Sequence, residues 1–226
     1  MKKIMPLLLL CFLLSGCGSS GNGGKGRDDD KILAEAIRYM NACNYHFTYT
    51  LNINYSGYPE EYTSYFHNST QGPYEYDCDY PRIHVWTSGS VNEYYNINND
   101  DYSNLTRYYQ RDGAWITQEG YDITKEKSQV KYFDQQKHYV TDYVKDNKED
   151  LLFKMTDAKL AENGFNSLFL KITCANNKIT KITVDSLVSL TELVTEEDGM
   201  NFSYTSDTIL RGELTKFGEI RVTLPA

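Results

Sequence analysis

The chain lacks the short signatures that announce a chemistry. It has no G-x-S-x-G, no H-E-x-x-H and no Gly-rich dinucleotide fingerprint, which removes the common nucleophile, metalloprotease and nucleotide motifs from consideration. No C-x-x-C occurs among its five cysteines, so the usual zinc-ligand spacing is missing as well. It also lacks basic charge in excess, with 23 Lys and Arg against 31 Asp and Glu and a net charge of −8. That balance excludes a basic face for nucleic acid and disfavours adhesion of the protein body to an anionic bilayer. No hydrophobic run is long enough to span a bilayer, since a spanning helix needs about 20 apolar residues. From these absences the expectation is a non-enzyme with no catalytic residue, no cofactor and no metal.

What the chain does have begins at its amino terminus. Lys2 and Lys3 precede an apolar run from Ile4 to Leu14, followed by Ser15, Gly16 and Cys17. A charged start, a short apolar stretch and small residues before a cut make a secretory signal. The segment Leu14-Ser15-Gly16-Cys17 resembles the lipobox of bacterial lipoproteins. That resemblance implies cleavage after Gly16 and acylation of Cys17 with diacylglyceryl and palmitate-type chains. The expected organisation is a lipoprotein signal peptide over 1–16, a lipidated cysteine and flexible Gly/Ser tether over 17–30, and one domain over 31–226. Each buried methylene adds about 0.8 kcal/mol, so two or three acyl chains anchor the protein without help from the domain. The expected location is the extracytoplasmic face of a cell membrane. Lys outnumbers Arg by 16 to 7, and Gly18 and Ser19 follow the anchor, which leans to a Gram-positive membrane over an outer membrane. Gly23-Gly24-Lys25 is not a phosphate loop, because no Ser or Thr follows Lys25 and no strand precedes the glycines.

Beyond the tether the hydrophobic period changes twice. Asp28, Asp29 and Asp30 offer a cap and a favourable charge for a helix start. Leu33, Ala36, Ile37, Met40 and Cys43 then recur at helical spacing. From Tyr45 the period becomes two, with Phe47, Tyr49, Leu51 and Ile53 alternating with His46, Thr48, Thr50 and Asn52, the pattern of a half-buried strand. After Gly57-Tyr58-Pro59 come short runs rich in Tyr, Thr, Val and Ile at 62–70, 73–79, 82–88, 91–98 and 105–118. Their close spacing predicts an antiparallel meander. A second helical stretch is expected within 124–152, which has no Pro or Gly and carries Tyr139, Tyr143 and Val144. Strands return at 168–174 and 178–184, joined by a tight Asn176-Asn177 turn, then at 202–206, 208–214 and 220–224.

Phe47-Thr48-Tyr49-Thr50-Leu51 after the helix, the run NNKITKITVD over 176–185, and the closing Phe217-Gly218, Ile220, Val222 and Pro225 resemble the LolA/LppX-like superfamily of bacterial envelope lipoproteins and lipoprotein carriers. The resemblance implies an α+β fold: a strongly curved antiparallel sheet, or half-barrel, with the amino-terminal helix and a helical insertion covering its concave face. It further implies an apolar space able to hold acyl chains. Phe47, Tyr49, Leu51 and Ile53 become the candidate ligand-binding residues, facing the helix stripe of Leu33, Ile37 and Met40. The expected function is binding of a hydrophobic ligand, lipid or acyl chain, by a monomer attached to the membrane through its anchor. The alternative is an envelope interaction or sensing module that binds a protein or glycan and has no usable cavity.

Other constellations point to bland roles. His46, His67, His84 and His138 are isolated in sequence; pairing could join His46 to His84, but polar strand positions facing water account for them. Asp77-Cys78-Asp79 and the run 96–101 are oxygen-rich, yet the latter lacks the glycine and final glutamate of a calcium loop. Glu60-Glu61 and Glu196-Glu197 read as charged loops. Twenty tyrosines suit pleated strands. Tyr94-Tyr95 and Tyr108-Tyr109 must split between the two sheet faces, and Trp86 and Trp115 are the largest planes. Once Cys11 leaves with the signal and Cys17 is acylated, Cys43, Cys78 and Cys174 remain. An exported protein permits one disulfide among them, in any pairing, and the alternative is buried free thiols.

Overall fold

A computed structural model describes residues 27–87, 92–99, 103–123, 143–195 and 201–226. Helix α1 (Asp29–Ala42) starts where the acidic cap stands: the Asp28 side chain accepts from the Lys31 N–H at 3.1 Å, and Asp29 and Asp30 occupy the first turn. It ends at Cys43, whose left-handed backbone (φ 44°) lets its N–H return to the Met40 carbonyl, a common helix stop. The predicted stripe packs as expected. Ala36, Met40 and Cys43 are buried, and Leu33 and Ile37 lie against the same core.

Eleven strands follow: β1 (Asn44–Ser56), β2 (Ser69–Asp79), β3 (Arg82–Thr87), β4 (Asn92–Ile97), β5 (Leu105–Arg111), β6 (Ala114–Tyr121), β7 (Tyr143–Asn147), β8 (Leu152–Met155), β9 (Ser167–Ala175), β10 (Lys178–Thr195) and β11 (Asn201–Thr215). They form one open sheet in the order β6-β5-β4-β3-β2-β1-β11-β10-β9-β8-β7, antiparallel at each pairing. The last strand inserts between β1 and β10 and so joins two meanders into one surface. A short helix α2 (Asp157–Asn163), closed by Gly164 at φ 70°, links β8 to β9. The described chain is therefore mostly antiparallel sheet with few helices. None of its helices is long and apolar enough to cross a membrane.

Several local expectations hold for a physical reason. Asn176 and Asn177 both take positive φ (51° and 60°) and join Ala175 to Lys178 in a two-residue hairpin, the backbone that matches strand twist. Other expectations are corrected. The run 105–118 is two strands, because Asp112 (φ 53°) and Gly113 (φ 79°) form a second hairpin turn of that kind. The segment 62–70 is largely a loop: Glu60–Tyr62 is a 3-10 turn, and β2 begins only at Ser69. Its aromatic residues satisfy a cluster rather than a ladder, as described below. Tyr143 and Val144 belong to β7, not to a helix, since Tyr143 pairs with Met155; of the expected helical insertion, 124–142 lies outside the described residues. The segment 220–224 forms no strand. Ile220 and Val222 are nevertheless buried, and their N–H groups donate to side chains, Asn44 Oδ1 at 3.1 Å and Asp79 Oδ2 at 3.2 Å. Alternating burial there comes without a partner strand.

The core lies on the face of the sheet that carries α1. Tyr45, Ile83, Leu105, Ile123, Phe153, Met155, Leu170, Ile182 and Leu214 are its largest fully buried side chains. Together they run from β5 to β8, with Ile123 just past β6, so one core extends across the sheet.

Candidate functional site

The four candidate residues share the helix-bearing face of β1, as period-two geometry requires. Their fates differ. Phe47 and Leu51 are buried at 3% and 7% exposure, whereas Tyr49 and Ile53 are half-buried. Phe47 stacks on Tyr49 with centroids 5.0 Å apart, and Tyr49 stacks on Tyr74 of β2 at 5.1 Å. Tyr49 packs against the helix-lined core with Val184 and Val188. Ile53 lies outside that core; it pairs with Thr208, and Thr208 with Val188.

Register explains why rings can lie so flat here. Tyr49 of β1 faces Gly212 of β11, which faces Val184 of β10. A Cβ built on Gly212 would stand 2.7 Å from Phe47 Cζ and 2.8 Å from Tyr49 Cβ. The missing side chain is the space that the two rings occupy. The row above joins Leu51, Leu210 and the buried Ser186. This stretch offers hydrocarbon and ring faces around the buried Ser186 hydroxyl.

Beyond Ile53 the same face ends in an aromatic clasp. The loop after β1 places Tyr58 on Phe66 (4.6 Å) and Tyr62 on Phe202 (4.5 Å), and Phe66 meets Tyr204 at 4.6 Å. Tyr204 donates to Glu192 Oε2 at 2.6 Å, and that bond to a carboxylate raises its pKa to about 12. Tyr65 (77% exposed) and Leu193 (70%) stand out from this end of the molecule.

On the same face, near the β6 edge, sits a polar cluster that no short motif announced. Arg107 of β5 holds Glu93 of β4 through Nε (2.9 Å) and Nη2, and the Tyr95 hydroxyl donates to the same carboxylate. The guanidinium lies 4.9 Å from the ring centres of both Tyr109 and Tyr121. Only strand pairing, Tyr95 with Arg107 and Glu93 with Tyr109, could reveal it.

The opposite face carries the remaining candidates. His46, Asp77, His84, Tyr94, Tyr108 and Thr117 form one row across β1 to β6. His46 and His84 do converge, but on the two sides of Asp77. His46 Nδ1 lies 2.8 Å from Asp77 Oδ1 and Nε2 lies 2.9 Å from Glu75 Oε2, while Thr48 donates to Glu75 at 2.9 Å. His84 is stacked between Trp86 (4.4 Å) and Tyr94 (4.0 Å), and Trp115 meets Tyr94 edge-on at 5.4 Å. Tyr94 and Tyr108 lie on this face and Tyr95 and Tyr109 on the other, as the alternation requires. Asp79 is engaged by Asn44 and the Val222 N–H, and Asn98, Asn99 and Asn104 bond among themselves and to Ser103. Among the described residues no group of three or more His, Cys, Asp or Glu side chains could hold a metal ion.

Burial between the rings holds the His84 imidazole below its ordinary pKa, against the pull of Asn92 and Asp77. The unfolded chain then takes up its proton first, below about pH 6.5. Stability from this group is complete above that value and is lost as pH falls toward the depressed folded value. Urea titrations between about pH 7.5 and 5 should therefore show a steeper acid loss in the wild type than in His84→Phe. Parallel profiles would remove His84 as the cause.

A scan against protein-family models finds no match, and a search of curated proteins finds none.

Proposed function

We propose that this protein is an exported, membrane-anchored lipoprotein that binds a hydrophobic ligand, a lipid or an acyl chain, on the helix-bearing face of its sheet, and that it catalyses no reaction. The observation that carries the proposal is the half-open strip of Tyr49, Ile53, Val184 and Val188, which continues the apolar face beyond the fully buried core. In this proposal the sheet curves as a half-barrel around the strip, and the aromatic clasp of Tyr58, Tyr62, Phe66, Phe202 and Tyr204 forms one rim of the site. Acylation at Cys17 supplies the anchor. Arg27 hydrogen-bonds the Lys148 and Glu149 carbonyls, so the tether leaves the domain beside the β7–β8 turn. A Gly- and Ser-rich linker of about ten residues has a random-coil reach of roughly 15–20 Å, which would keep the domain within range of bilayer lipids.

Native mass spectrometry of residues 27–226, purified without detergent, tests this directly. An adduct of lipid mass that is lost on denaturation and in Ile53→Trp is the expected result, with unchanged circular dichroism in the variant. Ile53 is the better probe than Leu51, because Leu51 is core and its enlargement threatens the fold. A bare protein mass that stays bare when lipids are added back would defeat the proposal. The second reading, an interaction module for a protein or glycan, would then rest on the half-exposed row of Trp86, His84, Tyr94 and Trp115.

A further inference from the structure

The geometry points to a disulfide between Cys43 and Cys78 whenever this domain folds in an oxidising compartment, with Cys174 left as a thiol. Sequence alone allowed any of the three pairings. The sheet register removes two of them. Cys43 ends α1, and the next residue, Asn44, faces Asp79; Tyr45 faces Cys78; and the Tyr80 N–H donates to the Cys43 carbonyl at 3.1 Å. Cys43 therefore lies diagonally across from Cys78 on backbones that are already paired. Their side chains enter one core cluster at 7% and 2% exposure, where the Cys43 thiol donates to the Met40 carbonyl at 3.3 Å and neighbours that of Cys78. Cys174 is on β9, four strand positions from the β2 of Cys78 and three from β1, which Cys43 precedes, or roughly 19 and 14 Å at about 4.8 Å per strand. A disulfide needs Cα atoms within about 7 Å. No rotamer change brings Cys174 into range.

The Cys78 thiol is a poor nucleophile in the folded domain, and Cys43 is buried beside it. The neighbouring Cys43 thiol and burial push the Cys78 pKa well above that of an ordinary thiol, and thiolate is the reactive form. Oxidation therefore belongs to folding, before the core closes, with a thiol–disulfide oxidoreductase or a small disulfide as oxidant. One cysteine thiolate attacks the oxidant's disulfide, giving a mixed disulfide and releasing one oxidant thiolate. The second cysteine thiolate attacks the mixed disulfide at the protein sulfur, forming the Cys43–Cys78 bond and releasing the other oxidant thiolate. The two cysteine protons end on the two oxidant sulfurs, so the oxidant is reduced by two electrons and the protein oxidised by two. The product ties the end of α1 to β2 and closes a loop that holds all of β1, which restricts the unfolded chain.

The inference is independent of the ligand proposed above and of cellular location, because the test supplies the oxidant. The full chain is reduced, unfolded, and refolded in detergent with oxidised glutathione; free thiols are then alkylated and the peptides mapped without reduction. The expected result is one linked pair of peptides containing Cys43 and Cys78, with Cys174 alkylated. Reductant should lower the melting midpoint of the linked protein by roughly 5–12 °C and leave that of Cys43→Ser unmoved. Linkage of Cys43 or Cys78 to any of the other three of the five cysteines, or alkylation of both in refolded protein, overturns the inference. Peptide mapping of the wild type decides between these outcomes even if Cys43→Ser fails to fold.

Discussion

Gly212→Val is expected to destabilise the domain by about 3 kcal/mol, the upper range for forcing atoms into a packed core. Backbone propensity predicts the reverse sign, since glycine is a poor strand residue and valine a good one. The decision between them comes from space. A Cβ at this position meets Phe47 Cζ at 2.7 Å and Tyr49 Cβ at 2.8 Å, and the latter belongs to a strand held on both edges by β2 and β11. The Phe47 ring would have to leave a site where it is 3% exposed. Ser203→Val on the same strand is the control, because Ser203 is exposed and surface changes stay within about 0.5 kcal/mol. Urea denaturation of the two variants settles the sign. Equal or greater stability for Gly212→Val would show that the ring packing has been misjudged.

Glu93→Ala should cost about 2–3 kcal/mol, by leaving a charge without its partner. Arg107 and Glu93 retain only 24% and 18% side-chain exposure, so solvent replaces the lost carboxylate poorly. The Tyr95 hydroxyl also loses its acceptor, and burial is the main reason its pKa stands far above that of a free tyrosine. Breaking one side of such a pair is costlier than replacing both by apolar groups of similar size. Glu93→Leu combined with Arg107→Met should therefore recover a good part of the loss. A double-mutant cycle measures the coupling, and values under about 0.5 kcal/mol would mean the pair acts as two independent surface groups.

The parts of this architecture legible in one dimension are those whose cause is local. The acidic cap and apolar stripe of α1, the alternation on β1 and the Asn176-Asn177 turn all rest on contacts within a few residues. Where local signals compete, the reading fails. The tyrosine-rich 62–70 segment has strand composition but packs its rings against Phe202 and Tyr204 from the far end of the chain. The Asp112-Gly113 turn was audible in the sequence and was masked by the strong strand signals around it. Residues 143–147 look helical because they are polar and free of Gly and Pro, yet pairing with β8 makes them strand.

By itself the sequence determined that the described chain opens with an amphipathic helix and that the rest is chiefly antiparallel strand. It also determined which residues of each strand share a face, because the side-chain period in a strand is two. Only the tertiary structure decided which strands are neighbours and in what register. Placing β11 between β1 and β10 put Gly212 under Tyr49; pairing β1 with β2 set Cys78 beside Cys43 and Asp77 between two histidines; pairing β4 with β5 set Arg107 against Glu93. These contacts join positions far apart in the chain, and a one-residue slip would turn each side chain to the other face. Register is a collective property of the closed core, so no single segment contains it.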